Sequence, residues 1–269
     1  MKIGLALSGG GFKGAAHIGI LEELEKFHIK PEIVSGVSAG AMVGLLYCEG
    51  GSMLVNRFFQ ELEYRNIVSR KNLLRQKNPD KILSQIAELL KELVETKDIK
   101  DLKIKFITAA TDIVSGKLIV FDSGDPIAAV LASSSYPGVF SPVKKEEMIL
   151  ADGGILNNMP ADLLRKNGAE FVIGSCLNTL ATMDEEKTGR TATLSRSIEI
   201  MISDFDRRQV EFCDYVFFPP LNNFKWYDFE HTKDMLHTGR VYAGDHIDDL
   251  MAEIYKKTPK NLIEKILGK

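Results

Sequence analysis

The sequence lacks the features that mark several classes of protein. Its three cysteines, Cys48, Cys176 and Cys213, are odd in number, far apart and outside metal-ligand spacings, which argues against a disulfide framework and favours free thiols in a reducing compartment. No stretch approaches the roughly 20 apolar residues of a membrane span, and the apolar run from Ile3 to Leu7 is too short for a signal-peptide core. The net charge is only −3, so nucleic acid is not expected as a partner. These absences predict a cytoplasmic protein that contacts membranes, if at all, peripherally.

The first fifty residues indicate the fold class. They alternate a short apolar run, a glycine-rich turn, a helical pattern, a second apolar run and a second glycine-flanked turn before another helix. Such a βαβα unit requires a parallel sheet with a right-handed crossover. The chain of 269 residues is within the range of one large α/β domain, so we expect a single catalytic domain over residues 1–269 with a mainly parallel central sheet.

The rest of the chain continues the alternation of strands and helices. Residues 52–100 are expected to form a helical insertion, whose apolar stripe from Ile82 to Leu93 either packs on the core or covers the substrate as a lid. Residues 178–193 are expected to form a flexible loop, and the C-terminal third is expected to be helical. Further strands are predicted at residues 105–113, 117–121, 148–154, 171–176 and 214–220.

The glycine-rich turn GGGFKG, Gly9 to Gly14, matches the dinucleotide pattern G-x-G-x-x-G. A nucleotide site is disfavoured, because Glu32, the candidate ribose-binding acid, stands at the start of the second strand rather than at its end. The turn offers a row of backbone N–H groups at a helix N-terminus, which favours negative charge. Such a row suits the oxyanion that forms during acyl transfer.

Ser38 lies in the second turn, SGVSAG, between Gly36 and Gly40. Small residues two positions before and after a serine are typical of a nucleophile elbow. A serine nucleophile needs a base, and the residues alone leave two candidates. The three histidines near the C-terminus follow the chain order of an α/β-hydrolase, whereas Asp152 in LADGG stands at the end of a predicted strand, as Ser38 does.

Four motifs together resemble the patatin-like phospholipase family of lipid acyl hydrolases. They occur in the family's order between Ser8 and Pro160, while residues 161–269 resemble the family only generally, and they read SGGGFKG, GVSAG, ASSSYPGVFSPV and DGGILNNMP. The resemblance implies a three-layer α/β/α fold and a serine–aspartate dyad without histidine, with Ser38 as nucleophile and Asp152 as general base. It also implies a fatty acyl ester lipid as substrate, a fatty acid as product, and neither metal nor cofactor.

The same resemblance assigns the residues around the dyad. It implies that the oxyanion amides come from Gly9, Gly10, Gly11 and Phe12. The supporting positions are Lys13, Gly36, Gly40, Gly153 and Gly154.

Two expectations follow for the environment of the dyad. A free aspartate has a pKa of ~3.9, so we expect partial burial of Asp152, which would raise its pKa and make it a base at neutral pH. A fatty acyl chain requires an apolar channel, for which the candidates are Met42, Leu45, Leu46, Tyr136, Val139, Phe140 and the stripe from Ile82 to Leu93. Trp226 in NNFKWYDF either packs on a neighbouring loop or docks at a lipid surface.

Overall fold

A computed structural model describes residues 1–68, 79–180 and 189–258 of the protein. Its centre is an eight-stranded sheet in which hydrogen-bonded neighbours follow the path β5-β6-β3-β2-β1-β7-β8, with β4 also paired to β3. The strands are β1 (Ile3–Leu7), β2 (Ile33–Gly36), β3 (Lys105–Asp112), β4 (Lys117–Phe121), β5 (Val143–Lys145), β6 (Met148–Asp152), β7 (Phe171–Ser175) and β8 (Tyr215–Phe217). The predicted strands are confirmed within a few residues, and β5 is an addition.

Within the described residues, seven α-helices surround the sheet. They are α1 (Ala15–Lys26), α2 (Ala39–Tyr64), α3 (Asp80–Leu93), α4 (Pro126–Ser133), α5 (Ala161–Lys166), α6 (Arg190–Val210) and α7 (Thr232–Lys257). Half of the predicted loop at residues 178–193, residues 181–188, lies outside the described part of the chain, and the prediction is wrong for its last four residues, which belong to α6.

Strand direction divides the sheet into two parts. β3, β2, β1, β7 and β8 are mutually parallel, as the βαβα pattern predicts. β4 and β6 both pair antiparallel to β3, and β5 pairs antiparallel to β6. The β3–β4 connection is too short for a crossover helix, so the chain reverses in a hairpin. The sheet is therefore mainly parallel with an antiparallel extension.

Both faces of the sheet are covered, which gives the α/β/α layers. Successive residues of β1 point to opposite faces, so Leu5 and Leu7 join the core with α1 and α2, while Ala6 packs with Leu163 and Leu164 of α5. The central strands β1, β2, β3 and β7 are buried along nearly all of their length and are rich in apolar residues.

Helix α2 is bent. Gly50 and Gly51 have non-helical dihedral angles, and Gly51 has a φ of 76°. The half of α2 after the bend begins at Ser52, whose N–H and hydroxyl both donate to the carboxylate of Glu25 on α1. The two halves of α2 are thus anchored separately.

Candidate active site

Ser38 stands at a strained turn between β2 and α2. Its φ of 56° and ψ of −123° lie outside the regions that non-glycine residues ordinarily occupy. The turn is tight, because a Cβ on Gly36 would lie 2.1 Å from the carbonyl oxygen of Gly40, and a Cβ on Gly40 would lie 2.2 Å from that of Leu7. Ser38 is partly exposed and borders a cavity. The turn has the geometry of a nucleophile elbow.

Asp152 reaches this turn because two strands end at neighbouring positions on β3. Thr108 pairs with Gly36 at the end of β2, and Ala110 pairs with Asp152 at the end of β6. β4 pairs with both Thr108 and Ala110, so it occupies one side of β3 and leaves the other to β2 and β6 in succession. Since β6 runs antiparallel to β3, its end points toward the end of β2, where Ser38 follows.

Asp152 is 2% exposed, so its burial is confirmed and is more complete than the partial burial expected from the sequence. Oδ1 accepts a hydrogen bond from the N–H of Gly154 at 2.8 Å. Oδ2 is buried, and within the described residues no donor completes a hydrogen bond of ordinary geometry to it, although the Ser38 hydroxyl is close enough to lower the pKa of the carboxyl. Burial outweighs these effects and raises the pKa of Asp152 to about 6.

Three consecutive serines connect the two residues. Oγ of Ser133 accepts from the N–H of Ser38 at 3.1 Å, and the hydroxyl of Ser134 donates to the carbonyl oxygen of Ser38 at 3.3 Å. The carbonyl oxygen of Ser135 accepts from the N–H of Asp152 at 3.0 Å. The sequence motif ASSSYP contains these serines, but its pattern did not assign them this role.

The glycine loop follows β1 and borders the same cavity as Ser38. The N–H of Gly9 donates to the carbonyl oxygen of Asn158 at 3.0 Å, and that of Phe12 donates to the carbonyl oxygen of Trp226 at 2.8 Å. The N–H groups of Gly10 and Gly11 have no such acceptor among the described residues. Of the four amides named from the sequence, these two are open to a ligand in this conformation.

The remaining supporting positions lie around the same point. Gly153 and Gly154 form a short 3-10 turn directly after Asp152. Lys13 borders the cavity, and its pKa is lowered by burial, against the opposing influence of Glu199 and Asp228. Lys13 therefore contributes a partly desolvated positive charge to the cavity wall.

The cavity has a volume of about 420 Å³, which is within the range of small-molecule sites. Its wall is largely apolar, and its members include Met42, Phe58, Phe59, Leu62, Ile82, Leu83, Ile86, Tyr136, Phe140 and Trp226. The expectation of an apolar channel is confirmed for Met42, Tyr136 and Phe140. It is wrong for Leu45 and Leu46, which are fully buried in the core, and Val139 does not border the cavity.

Part of the stripe on α3 borders the cavity. All five residues of the stripe pack in the main hydrophobic core, and of these Ile82 and Ile86 also border the cavity, whereas Leu89, Leu90 and Leu93 do not. Trp226 contacts the glycine loop, because its backbone carbonyl oxygen accepts a hydrogen bond from the N–H of Phe12. The centroid of its ring lies 5.7 Å from that of Tyr136. Loop packing is thus the arrangement that Trp226 adopts.

None of the five histidines, all of them in the described ranges, borders the cavity. His17 is fully buried, with Nδ1 2.7 Å from Oγ of Ser175 and Nε2 2.9 Å from the carbonyl oxygen of Ser8, and burial lowers its pKa to about 4. His231 faces Asp234, and Nδ1 of His246 contacts the carbonyl oxygen of Tyr242 within α7. These contacts are structural.

Sequence reasoning missed a buried polar cluster beside the glycine loop. Asp206 of α6 is 2% exposed and accepts hydrogen bonds from Asn158 and Asn178. Burial raises the pKa of Asp206 to about 7, against the lowering effect of these bonds. Asn158 is part of the motif DGGILNNMP, but nothing local in the sequence connects that motif with a residue on α6.

Two further features bear on ligands and membranes. No three His, Cys, Asp or Glu side chains within residues 1–68, 79–180 and 189–258 are grouped to hold a metal ion. Among the helices that the structure describes, none is both long and apolar enough to cross a bilayer.

Comparisons with known proteins converge on one family. The family model for patatin-like phospholipases matches residues 5–165. A patatin-like phospholipase domain-containing protein of Caenorhabditis elegans is 30% identical over 287 residues, which cover 93% of this chain and 21% of the relative. Neuropathy target esterase sws of Drosophila melanogaster is 34% identical over 178 residues, which cover 64% of this chain and 12% of the relative. The chain therefore corresponds to a minor part of these two relatives.

Among solved structures, VipD from Legionella pneumophila is similar. It has a TM-score of 0.46 and 17% sequence identity, and the match covers 92% of this chain and 67% of that chain.

Proposed function

Because the chain belongs to the patatin-like phospholipase family, we propose that it hydrolyses fatty acyl esters of lipids through an acyl-enzyme on Ser38, with Asp152 as the general base. One observation carries the proposal: the hydroxyl of a serine in a strained elbow adjoins a buried carboxyl group whose pKa is raised to about 6. A carboxylate with such a pKa is ionised at neutral pH and is still a stronger base than a free aspartate.

The reaction begins with proton transfer from the Ser38 hydroxyl to Oδ2 of Asp152, the carboxylate oxygen that completes no hydrogen bond with the part of the chain that the structure describes. Oγ of Ser38 attacks the ester carbonyl carbon, and the N–H groups of Gly10 and Gly11 stabilise the resulting oxyanion. The tetrahedral intermediate collapses, the bond to the alcohol breaks, and the leaving alkoxide takes the proton from Asp152.

Deacylation repeats these steps with water. Asp152 accepts a proton from a water molecule, whose oxygen attacks the acyl carbonyl carbon and forms a second oxyanion at the same N–H groups. The bond from Ser38 to the acyl carbon breaks, Oγ regains a proton from Asp152, and the fatty acid leaves. The apolar wall of the cavity is suited to hold its hydrocarbon chain.

Peripheral contact with a lipid surface is part of the proposal. Leu180 and Met201 both border the cavity and are 47% and 56% exposed. Apolar side chains at the entrance of a cavity favour contact with lipid over water. Replacing both residues with serine is expected to weaken flotation with phosphatidylcholine vesicles, and unchanged flotation would contradict the proposed contact with a lipid surface.

A lid function for residues 52–100 and a cytoplasmic location stay predictions.

The dyad is tested by covalent labelling with a long-chain fluorophosphonate, followed by intact-mass measurement and peptide mapping. The proposal predicts one adduct, on Ser38, that forms much more slowly in Asp152→Asn. Labelling that persists in Asp152→Asn and is lost in His231→Ala, His237→Ala or His246→Ala would instead support a histidine-dependent hydrolase. The absence of labelling in the folded wild type would contradict the proposed function.

A further inference from the structure

A buried hydrogen-bond network lies behind the glycine loop, and the proposed reaction does not use it. Its centre is the carboxylate of Asp206 on α6. This carboxylate accepts from Nδ2 of Asn158 at 3.1 Å and 3.0 Å, and from Nδ2 of Asn178 at 3.3 Å. Sγ of Cys176 lies 3.7 Å from the same group. A single carboxylate thus fixes which way two asparagine amides point.

Both asparagines hold Gly9, the first residue of the glycine loop. Nδ2 of Asn178 donates to the carbonyl oxygen of Gly9 at 2.8 Å. The backbone carbonyl oxygen of Asn158 accepts from the N–H of Gly9 at 3.0 Å. The side chain of Asn158 is also close, because a Cβ on Gly9 would lie only 2.4 Å from its Oδ1. Gly9 is therefore held on both polar groups of its backbone by two residues whose side chains meet at Asp206.

An ionised carboxylate is the side chain that suits this position. It carries no hydrogen, so it accepts from both asparagines at once, whereas an amide in its place would present N–H₂ to one of them. Asn158 also adjoins the dyad, because a Cβ on Gly154 would lie 2.9 Å from its Oδ1 and 3.0 Å from Oδ1 of Asp152. Rotation of the Asn158 amide would disturb the loop and the base together.

We propose that Asp206 is a positioning residue of the oxyanion hole: its carboxylate orients Asn158 and Asn178, and these hold Gly9 so that the N–H groups of Gly10 and Gly11 face the ester carbonyl. The inference rests on the proposed function of the glycine loop. The proposal gives a role to Asp206, a buried acid on α6, whose other residues at the site form part of the cavity wall.

If Asp206 served only to stabilise the fold, its removal would be expected to lower the free energy of unfolding. Burial raises the pKa of Asp206 to about 7, so its ionised form is less favourable in the folded protein than in the unfolded chain. Ionised Asp206 therefore does not add to stability above neutral pH. Its removal is expected to affect the geometry of the loop more than the stability of the fold.

The test compares Asp206→Asn with Asp204→Asn, the same substitution on the same helix at a partly exposed residue that pairs with Arg207 and Arg208. The measurements are kcat and KM for p-nitrophenyl butyrate and the thermal unfolding midpoint. Asp206→Asn is expected to lower kcat by about 10- to 100-fold, with KM within about twofold and the midpoint not lowered. Asp204→Asn is expected to match the wild type.

Amide hydrogen exchange gives a readout independent of activity. In Asp206→Asn, exchange is expected to increase in the peptide that contains residues 9–14 and to stay unchanged in β7 and α7. An unchanged kcat in a folded variant, or a midpoint and kcat that fall together with faster exchange throughout the chain, would overturn the proposal.

A second variant leaves the carboxylate of Asp206 in place and removes the side chain of Asn178, which donates both to that carboxylate and to the carbonyl oxygen of Gly9. Asn178→Ala, at a partly exposed residue, loses the hydrogen bond to Gly9 and is expected to lower kcat and increase exchange in residues 9–14. If Asp206→Asn does not fold, unchanged exchange in Asn178→Ala would overturn the proposal. If the wild type lacks esterase activity, the proposed function fails, and exchange in residues 9–14 still decides whether Asp206 positions the loop.

Discussion

The N–H of Asp152 donates a hydrogen bond to the carbonyl oxygen of Ser135 at 3.0 Å. Two residues earlier, Oγ of Ser133 accepts from the N–H of Ser38. One short segment, which begins at the last residue of α4, thus sets the distance between Ser38, which follows β2, and Asp152, which ends the oppositely directed strand β6. Changes in that segment are therefore expected to affect the chemistry even though it contributes neither proposed reacting group.

Ser133→Ala is expected to lower kcat for a soluble ester by about 2- to 10-fold, the effect of one hydrogen bond of 0.5–1.5 kcal/mol. The reason is that the N–H of Ser38 loses its acceptor and the elbow gains freedom. Steady-state kinetics check this, with Ser84→Ala as control, because the exposed Ser84 hydroxyl bonds only within its own helix. Equal kcat values for the two variants would show that Ser133 does not hold the elbow.

The loss of activity in acid is expected to follow Asp152, with the protonation of Asp206 at a pKa of about 7 as a second contribution at higher pH. The pKa of Asp152 is about 6, and only the ionised form accepts the serine proton, so kcat/KM rises as the pH increases through about 6 and falls below it. A pH profile of kcat/KM on a soluble ester, taken where circular dichroism shows the protein folded, checks this. A profile that stays flat down to about pH 5 would mean that the base has an ordinary carboxyl pKa.

Asp152→Asn is expected to stabilise the protein at neutral pH while reducing its activity. The folded-state pKa of Asp152, about 6, is above that of the unfolded chain, so the folded state binds the proton more tightly, and the stability this gives is lost as the pH rises from about 4 through 6. Because an amide stays uncharged, the variant does not lose this stability, and its free energy of unfolding is expected to exceed that of the wild type by on the order of 1–3 kcal/mol above pH 6. Urea unfolding at about pH 4 and pH 8 measures it. A variant less stable than the wild type at both values would contradict the burial argument.

Met42→Trp is expected to reduce activity on long-chain esters by more than about tenfold and to affect butyrate esters much less. Met42 is on the first turn of α2 and borders the cavity beside Ser38, so a larger side chain would fill space that a long chain needs. The control is Met53→Trp on the same helix, where Met53 is 82% exposed. A series of p-nitrophenyl esters of increasing chain length measures both variants, and parallel losses on all lengths would place the acyl chain elsewhere.

The sequence allowed the local elements of the site to be predicted, because each depends on short-range chemistry. Glycines on either side of Ser38 and after Asp152 indicate tight turns, and alternating strand and helix patterns place such turns at strand ends. The burial of Asp152 followed from the basicity its proposed role requires.

What the sequence did not predict depends on contacts between distant segments. The antiparallel approach of β6 follows from pairing along β3, which no local pattern encodes. Asp206 reaches Asn158 across 48 positions and is one of many acidic residues on charged helices. Leu45 was misplaced because an apolar residue on a helix beside the nucleophile faces the core or the cavity according to helix rotation.

The bend in α2 separates two contributions that this helix makes to the site. The half before Gly50 carries the turn with Ser38, while the half after Gly51 contributes Phe58, Phe59 and Leu62 to the cavity wall and is anchored on Glu25 of α1. Substitutions in the second half can reshape the space for the acyl chain without tilting the first. Under the proposed function, divergence of the fold can therefore change the preferred substrate length and leave Ser38 and Asp152 where they are.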